Sequence, residues 1–187
     1  MTSVYKQQLL NWVSSLDVKA DTVIDIGGSQ DPIKGRTKSW EVKKYLIADL
    51  PQPHYEKQKP DIEFNLENKF YKPRVQADLI FCLEVFDYIR DPITAFDRIS
   101  AMLKDGGSAW VSFPFFYPIH NPVESEGLRY TEPALRYYGD LYNIPVKEVI
   151  YRRPESRKLL EYISEDGFRA AKDYNHNVIG YIVRFQK

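Results

Sequence analysis

A carboxylate and two glycines lie close together in the segment TVIDIGGSQDPIKG, residues 22–35. Gly27 and Gly28 permit positive φ and let a small molecule approach the main chain. Asp25 stands two residues before Gly27, where its negative charge would repel a pyrophosphate and attract an ammonium or sulfonium group. S-adenosylmethionine carries both cations, so the segment favours that ligand. A Gly-rich turn without a ligand is the alternative interpretation.

A second acid, Asp49, lies 22 residues after Gly27, at the end of the apolar run YLIADL. An acid at this distance can accept hydrogen bonds from both ribose hydroxyls of an adenosine that lies across a parallel sheet. The spacing fits NAD and S-adenosylmethionine equally well. Asn65 ends the next run, DIEFNL, and could bind the adenine edge beside the backbone N–H of Leu66. Alternatively, Asn65 only ends a strand at a turn.

Seven apolar runs predict the strands that would carry these residues. They are TVIDIG (22–27), YLIADL (45–50), DIEFNL (61–66), ADLIFCLEV (77–85), SAWVSFPFF (108–116), PVKEVIYR (145–152) and NVIGYIVRF (177–185). Runs that are apolar throughout are typical of parallel strands buried on both faces. Between the first two runs, SWEVKKY (39–45) would make a turn or two of helix at most, so we expect an abbreviated first crossover.

Apolar spacing, an N-cap residue and proline positions predict four helices. Residues 3–15 would form a covering helix, and Pro92 suits the first turn of a helix that stops before Gly106 and Gly107. Thr131 is placed as the N-cap of another helix, and PESRKLLEYISEDGF (154–168) is mostly helical. The alternation of strands and crossovers predicts an α/β fold with a mostly parallel sheet and right-handed connections.

Composition limits the class of protein. The 187 residues, 43% of them hydrophobic, are enough for one core, so we expect a single domain over residues 1–187. The 26 basic and 26 acidic residues cancel, which gives no global field for nucleic acid or an anionic membrane. Cys82 is the only cysteine, so no disulfide framework or CxxC metal pair is expected. With no apolar run long enough for a signal peptide or membrane span, the sequence predicts a soluble, cytoplasmic protein that binds no membrane.

With these strands in place, the sequence resembles the class I S-adenosylmethionine-dependent methyltransferases, most closely the small single-domain group often labelled type 11. The matching segments are VIDIGG, ADL with Asp49, FNL with Asn65, ADLIFCLEVFDYIRDP and LKDGGSAWVSFPF, and they cover roughly residues 20–137. The resemblance implies a Rossmann-like, mostly parallel seven-stranded sheet flanked by helices, in the order 3-2-1-4-5-7-6 with the last strand antiparallel.

The resemblance also implies S-adenosyl-L-methionine as cofactor and a methyltransferase reaction (EC 2.1.1.-). The cofactor-binding residues predicted from the motifs are Asp25, Gly27, Gly28, Ser29, Asp49, Leu50, Asn65, Leu66, Cys82, Leu83 and Glu84. Glu84 could orient the ammonium group of the cofactor, although capping of the following helix is a competing role.

Four positions depart from the family pattern. Ser29 and Asp31 stand where further glycines are usual, Asn65 replaces the commoner acid, and Tyr88 replaces a histidine. An enzyme that has lost its activity would accumulate such changes. The alternative function is therefore a module that binds S-adenosylmethionine without turnover. The short crossover would leave more of the cofactor to be covered by the N-terminal helix or by residues 35–45.

Residues 115–130 are predicted to form an acceptor-side loop after the fifth strand. His120, flanked by Pro118 and Pro122, is the candidate general base because its pKa is ordinarily near neutral; fixing a turn is its alternative role. The candidate substrate-binding residues are Tyr88, Tyr117, Arg129 and Tyr130; residues such as the last three more often only pack a loop, which is their alternative role.

The acceptor is expected to be a small molecule or a glycan, modified by O-methylation. A DNA amino-methyltransferase would carry an (N/D/S)PP(Y/F) segment after the fourth strand, where this chain reads CLEVFDY. Two basic clusters, one of residues 34–44 and one that contains Arg152, Arg153, Arg157 and Lys158, are interpreted as solvated faces rather than nucleic-acid footprints.

Overall fold

The structure, a computed structural model, describes residues 3–53, 58–116, 127–153 and 178–187. Within these ranges the elements are α1 (Val4–Ser15), β1 (Asp17–Ile26), β2 (Ser39–Asp49), β3 (Ile62–Glu63), β4 (Ala77–Cys82), α2 (Pro92–Met102), β5 (Leu103–Pro114), α3 (Glu132–Leu141), β6 (Val146–Arg152) and β7 (Gly180–Gln186). The helix predicted over 154–168 lies outside the described residues. No helix in the described ranges is both long and apolar enough to span a membrane.

The seven strands form one sheet in the order β3-β2-β1-β4-β5-β7-β6. Strands β1 to β5 pair in parallel, and β7 lies antiparallel between β5 and β6. This confirms the predicted sheet order and the antiparallel last strand. The chain leaves β1 toward β2 on one side and returns to β4 on the other, so a crevice opens at the carboxyl ends of β1 and β4.

Apolar residues on both faces of the sheet explain why it is covered by helices. On one face, Phe96 of α2 packs against Phe113 and Phe185, with ring centroids 6.0 and 5.4 Å away. On the other face, Leu9 and Val13 of α1 belong to a cluster that also contains Val18, Val23, Ile33, Phe81 and Ile182. The sheet is therefore held between α2 and α3 on one side and α1 on the other.

The helical interpretation of SWEVKKY is wrong, because these residues form the first part of β2. Residues 39–48 pair in parallel register with residues 17–26, so the polar segment DVKAD also belongs to a strand, β1. Trp40 and Val42 pack toward α1, while Glu41 and Lys43 alternate onto the opposite face. There they pair with Lys19 and Asp21 of the neighbouring strand at 2.9 and 2.7 Å. Alternation with a period of two was the signal for a strand.

The connection from β1 to β2, residues 27–38, contains no helix. This agrees with the abbreviated crossover predicted from the sequence. The bounds of other strands also differ from those predicted from the sequence. The third strand keeps only Ile62 and Glu63, and β5 begins at Leu103 rather than residue 108, so that Gly106 and Gly107 lie inside it at a register irregularity with β4.

Candidate functional site

A cleft of about 210 Å³ lies at the carboxyl ends of β1, β2 and β4. Open parallel sheets bind ligands at this point, where the strand order reverses. Four segments form its walls: Ile26, Gly27 and Gln30 after β1; Asp49, Leu50 and Pro53 after β2; Phe64, Asn65, Leu66 and Glu67 after β3; and Glu84, Val85, Tyr88 and Ile89 after β4. The cleft therefore brings together predicted residues from four separate motifs.

The glycine turn after β1 has no room for side chains. Gly27 has φ +80°, its N–H donates to the Ala48 carbonyl at 2.8 Å, and an added Cβ would lie 2.4 Å from Cγ2 of Val85. At Gly28 an added Cβ would lie 2.6 Å from the carboxyl carbon of Asp25. The two glycines let the turn pack tightly between the carboxylate and the segment after β4.

Asp49 points its carboxylate into the cleft with both oxygens already oriented by the backbone. Oδ2 accepts the N–H of Ser29 at 3.1 Å, and Oδ1 accepts the N–H of Leu50 at 2.8 Å. A carboxylate has about four acceptor positions, so each oxygen keeps one for a further donor. This geometry suits a pair of neighbouring hydroxyls, as the prediction for Asp49 requires. The Ser29 side chain itself is buried outside the cleft.

Asn65 ends its segment at a turn, as the alternative interpretation predicted, and it also lines the cleft. Its Oδ1 accepts the N–H of Glu67 at 2.8 Å, which is an Asx turn. Because the amide nitrogen is not used in that bond, it can still donate to a ligand. Phe64, Leu66 and Ile89 provide apolar walls beside it.

Asp25 lies beneath the glycine turn instead of in this cleft. It is 4% exposed, and its Oδ2 accepts the Tyr45 hydroxyl at 2.6 Å and the Ile33 N–H at 2.7 Å. Burial raises the pKa of Asp25 to about 6, against the opposing effect of these two hydrogen bonds. The carboxylate thus supports the turn from below.

Asp25 lines a second, smaller cleft of about 120 Å³ on the other side of Gly27. Gly27, Gln30 and Glu84 line both clefts; the second is completed by Lys6, Leu9 and Leu10 of α1 and by Asp31, Ile33, Arg36 and Leu83. The two clefts thus meet at a shared wall, and the second contains charges of both signs.

Glu84 stands in the shared wall in a left-handed backbone conformation, with φ +57°. Its N–H donates to Oγ of Ser112 at 2.7 Å, while its Oε1 accepts the Ser112 hydroxyl at 2.9 Å and Arg152 Nη1 at 2.8 Å. It does not cap the following helix, since Asp91 is the N-cap of α2. The solvated-face interpretation of Arg152 is wrong, because this side chain is 1% exposed.

Several other predicted residues lie away from the clefts. Cys82 is fully buried between its strand neighbours, which raises the pKa of its thiol, and Gly28 also lies outside both cleft linings. Tyr130 is 2% exposed and packs against Phe86 and Phe113, as the loop-packing alternative predicted, and Arg129 lines neither cleft. Tyr117 and His120 lie outside the described residues.

Sequence reasoning missed Gln30, Glu67 and Arg152. Gln30 directly follows the predicted turn, so its position was the available signal. Glu67 accepts the N–H groups of Arg90 and Asp91 at 2.8 and 2.7 Å, a contact between distant segments that no local pattern encodes. Arg152 could have been found from strand alternation, because it shares a face of β6 with Ile150.

Comparison with known proteins supports the fold. No protein-family description and no curated protein matches the sequence. Among solved structures, the N-methyltransferase NodS from Bradyrhizobium japonicum matches with a TM-score of 0.61 at 15% identity, over 98% of this chain and 96% of that one. An S-adenosylmethionine-dependent methyltransferase from Mesorhizobium loti matches with a TM-score of 0.61 at 11% identity, over 98% of both chains.

An O-methyltransferase family protein from Burkholderia thailandensis has a TM-score of 0.62 at 15% identity, and the match covers 97% of this chain and 56% of that one. Identities this low show a shared fold and no more. The chain therefore has the Rossmann-like fold of solved methyltransferases.

Proposed function

We propose that the protein is a class I S-adenosylmethionine-dependent methyltransferase with one catalytic domain. One observation carries the proposal: Asp49, Gly27 and Glu84 meet at the crevice of a sheet whose fold is that of solved enzymes of this kind. The type 11 group remains the expected subgroup. A cytoplasmic location remains an expectation from the sequence.

The residues of the two clefts fit the cofactor. The free acceptor positions of Asp49 suit the ribose hydroxyls, and Phe64, Leu66 and Ile89 would flank the adenine. On the far side of Gly27, the second cleft offers Lys6 and Arg36 for a carboxylate and Glu84 for an ammonium group. An adenosine in the first cleft would thus place its amino-acid portion toward the second.

When bound, S-adenosylmethionine supplies a methyl group on a positively charged sulfur. The protein's task is then to position the two reactants and exclude water. The apolar walls Val85 and Ile89 would exclude water. Glu84 would hold the amino-acid portion, and His120 is proposed to accept the acceptor's proton.

The proposed acceptor is a small molecule or glycan that is methylated on oxygen. The support is the balanced net charge, the sequence CLEVFDY after β4, and a structural neighbour described as an O-methyltransferase family protein. Another neighbour is described as an N-methyltransferase, so an amine acceptor is the competing outcome of the acceptor screen described below. Nucleic acid is not proposed as a partner.

Calorimetry with S-adenosylhomocysteine and NAD tests the cofactor. We expect binding of the first ligand only, and Asp49→Ala should weaken it by roughly tenfold or more, because two hydrogen bonds to a carboxylate are lost. Asp105→Ala is the matched control, since this acid is fully exposed at the far end of the sheet. Binding of NAD alone would refute the proposal.

A screen for S-adenosylhomocysteine release over metabolites, sugars, peptides and nucleic acids tests turnover. On the best acceptor, His120→Ala should lower kcat and leave cofactor affinity nearly unchanged, since a general base acts mainly in the transition state. Equal kcat for the variant would remove the role of His120. Cofactor binding without product from any acceptor would instead favour the binding module without turnover.

A further inference from the structure

Arg152, the last residue of β6, is a buried arginine outside the proposed chemistry. Its side chain is 1% exposed. A guanidinium group in such a place is unfavourable unless a charged partner and hydrogen bonds compensate for the lost water. The groups that Arg152 contacts therefore indicate the role of this buried guanidinium group.

Three contacts tie Arg152 to two other parts of the chain. Nη1 donates to Oε1 of Glu84 at 2.8 Å, and Nη2 donates to the Tyr5 carbonyl of α1 at 2.6 Å. The guanidinium carbon also lies 3.1 Å from the centroid of the Tyr5 ring, a cation–π contact. Arg152 thus joins β6, the wall shared by both clefts, and the helix that borders the second cleft.

The backbone of Glu84 points to a functional constraint. A non-glycine residue at φ +57° is uncommon, and it persists where its surroundings fix it. Ser112 and Arg152 provide this fixation by hydrogen bonds to the N–H and Oε1 of Glu84. Among the described residues no donor reaches Oε2, although the side chain is 32% exposed where the two clefts meet.

We infer, on the basis of the proposed function, that Arg152 is a positioning residue that directs Oε2 of Glu84 at the α-ammonium group of the cofactor. An ammonium group and a fixed carboxylate oxygen form a charge-assisted hydrogen bond. By holding the Tyr5 carbonyl, Arg152 also keeps α1 in place, and with it Lys6, Leu9 and Leu10 at the second cleft.

The test compares S-adenosylhomocysteine with 5′-methylthioadenosine, which shares the adenosine and the thioether but lacks the amino-acid portion. Arg152→Met should lower the affinity for S-adenosylhomocysteine by about tenfold, while the affinity for 5′-methylthioadenosine changes by less than about twofold. Arg184→Met on the neighbouring strand β7 is the matched control. Arg184 also lies over an aromatic ring, that of Trp110, and pairs with a glutamate, Glu148, but it lines neither cleft.

A double-mutant cycle with Glu84→Gln tests whether Arg152 acts through Glu84. In the Glu84→Gln background, Arg152→Met should produce little further loss of discrimination between the two ligands. Arg152→Lys should retain part of the discrimination, because an ammonium group can donate to Oε1 without the planar geometry of arginine.

If Arg152→Met lowered the affinities for both ligands equally, the role of Arg152 would be merely structural. If the effects of Arg152→Met and Glu84→Gln on discrimination were additive, Arg152 would not act through Glu84. If Arg152→Met does not fold, Ser112→Ala tests the fixation of Glu84 without exposing a buried charge, because it removes both the donor to Oε1 and the acceptor of the Glu84 N–H. It should reduce discrimination selectively, and unchanged discrimination would overturn the inference. Failure of the wild-type protein to bind S-adenosylhomocysteine would instead refute the proposed function itself.

Discussion

At the scale of single residues, Asp25 makes a testable contribution to stability. Burial raises its pKa from 3.8 to about 6, so the folded state binds a proton that the unfolded state releases between these values. Protonation therefore favours folding below about pH 4, and this contribution is lost as the pH rises through about 6. The Tyr45 hydroxyl and the Ile33 N–H reduce the effect without removing it.

Asp25→Asn should therefore change stability in a pH-dependent manner. An amide keeps an oxygen for both donors and carries no charge, so between about pH 5 and about pH 7.5 the variant should gain roughly 1–2 kcal/mol relative to wild type. Urea denaturation at the two pH values measures this difference. Asp105→Asn, at an exposed acid, is the matched control, and a difference for Asp25→Asn no larger than that of the control would contradict the raised pKa of Asp25.

The residue types at the site were predictable, whereas their directions were not. Gly27 and Asp49 lie in the main cleft as their motifs predicted. Asp25 shares a motif with Gly27 but lies beneath the glycine turn, where it lines the second cleft, and Cys82 of the fourth-strand motif is fully buried. Arg152 contacts Glu84 across 68 positions of sequence, and a contact this distant leaves no local pattern.

At the scale of elements, the connection between β1 and β2 contains glycines of two kinds. One is required both for its positive φ and for a close contact, and the other only for its positive φ. Gly27 and Gly35 both have positive φ, +80° and +86°, but an added Cβ would overlap Val85 only at Gly27. Gly35→Ala should cost only the backbone strain of about 1–2 kcal/mol. Gly27→Ala should cost more and should also weaken S-adenosylhomocysteine binding.

Thermal unfolding and calorimetry of the two alanine variants measure these effects. In the Gly27→Ala chain, a further Val85→Ala should recover part of the stability, because it removes the overlapping methyl group. Equal losses for the two glycine variants would show that the contact with Val85 is unimportant.

The sequence predicted the type of an element correctly where the element is largely buried. Runs such as ADLIFCLEV predicted strands because they are apolar throughout. Helical spacing predicted α1 and α2, and the N-cap Thr131 predicted α3. The first half of β2 was mistaken for a helix because lysine and glutamate favour helices locally. Its strand form depends on pairing with β1, including ion pairs between Lys19 and Glu41 and between Asp21 and Lys43.

At the scale of the whole molecule, the last strand determines the integrity of the sheet. β7 lies between β5 and β6, so the order β5-β7-β6 is complete only when the C-terminal residues are in place. Lys187, which follows β7, is anchored as well: its N–H donates to the Gly107 carbonyl and its own carbonyl accepts the Gly106 N–H, both at 3.0 Å. The family resemblance implied this strand order, whereas the alternation of strands and crossovers predicted only a mostly parallel sheet.

Phe185→Ala should therefore destabilise the whole protein without changing the cofactor site. Phe185 is fully buried and its ring contacts those of Phe96 and Phe113, so truncation should lower the free energy of unfolding by about 3–5 kcal/mol. Phe70→Ala, at a side chain that is 92% exposed, should have little effect on the free energy of unfolding.

Because Phe185 lines neither cleft, the folded Phe185→Ala variant should bind S-adenosylhomocysteine with near wild-type affinity. Saturating ligand should raise the Tm of the variant and of the wild type. Urea denaturation and calorimetry measure the two quantities. A tenfold loss of affinity in Phe185→Ala would mean that β7 packing controls the geometry of the clefts.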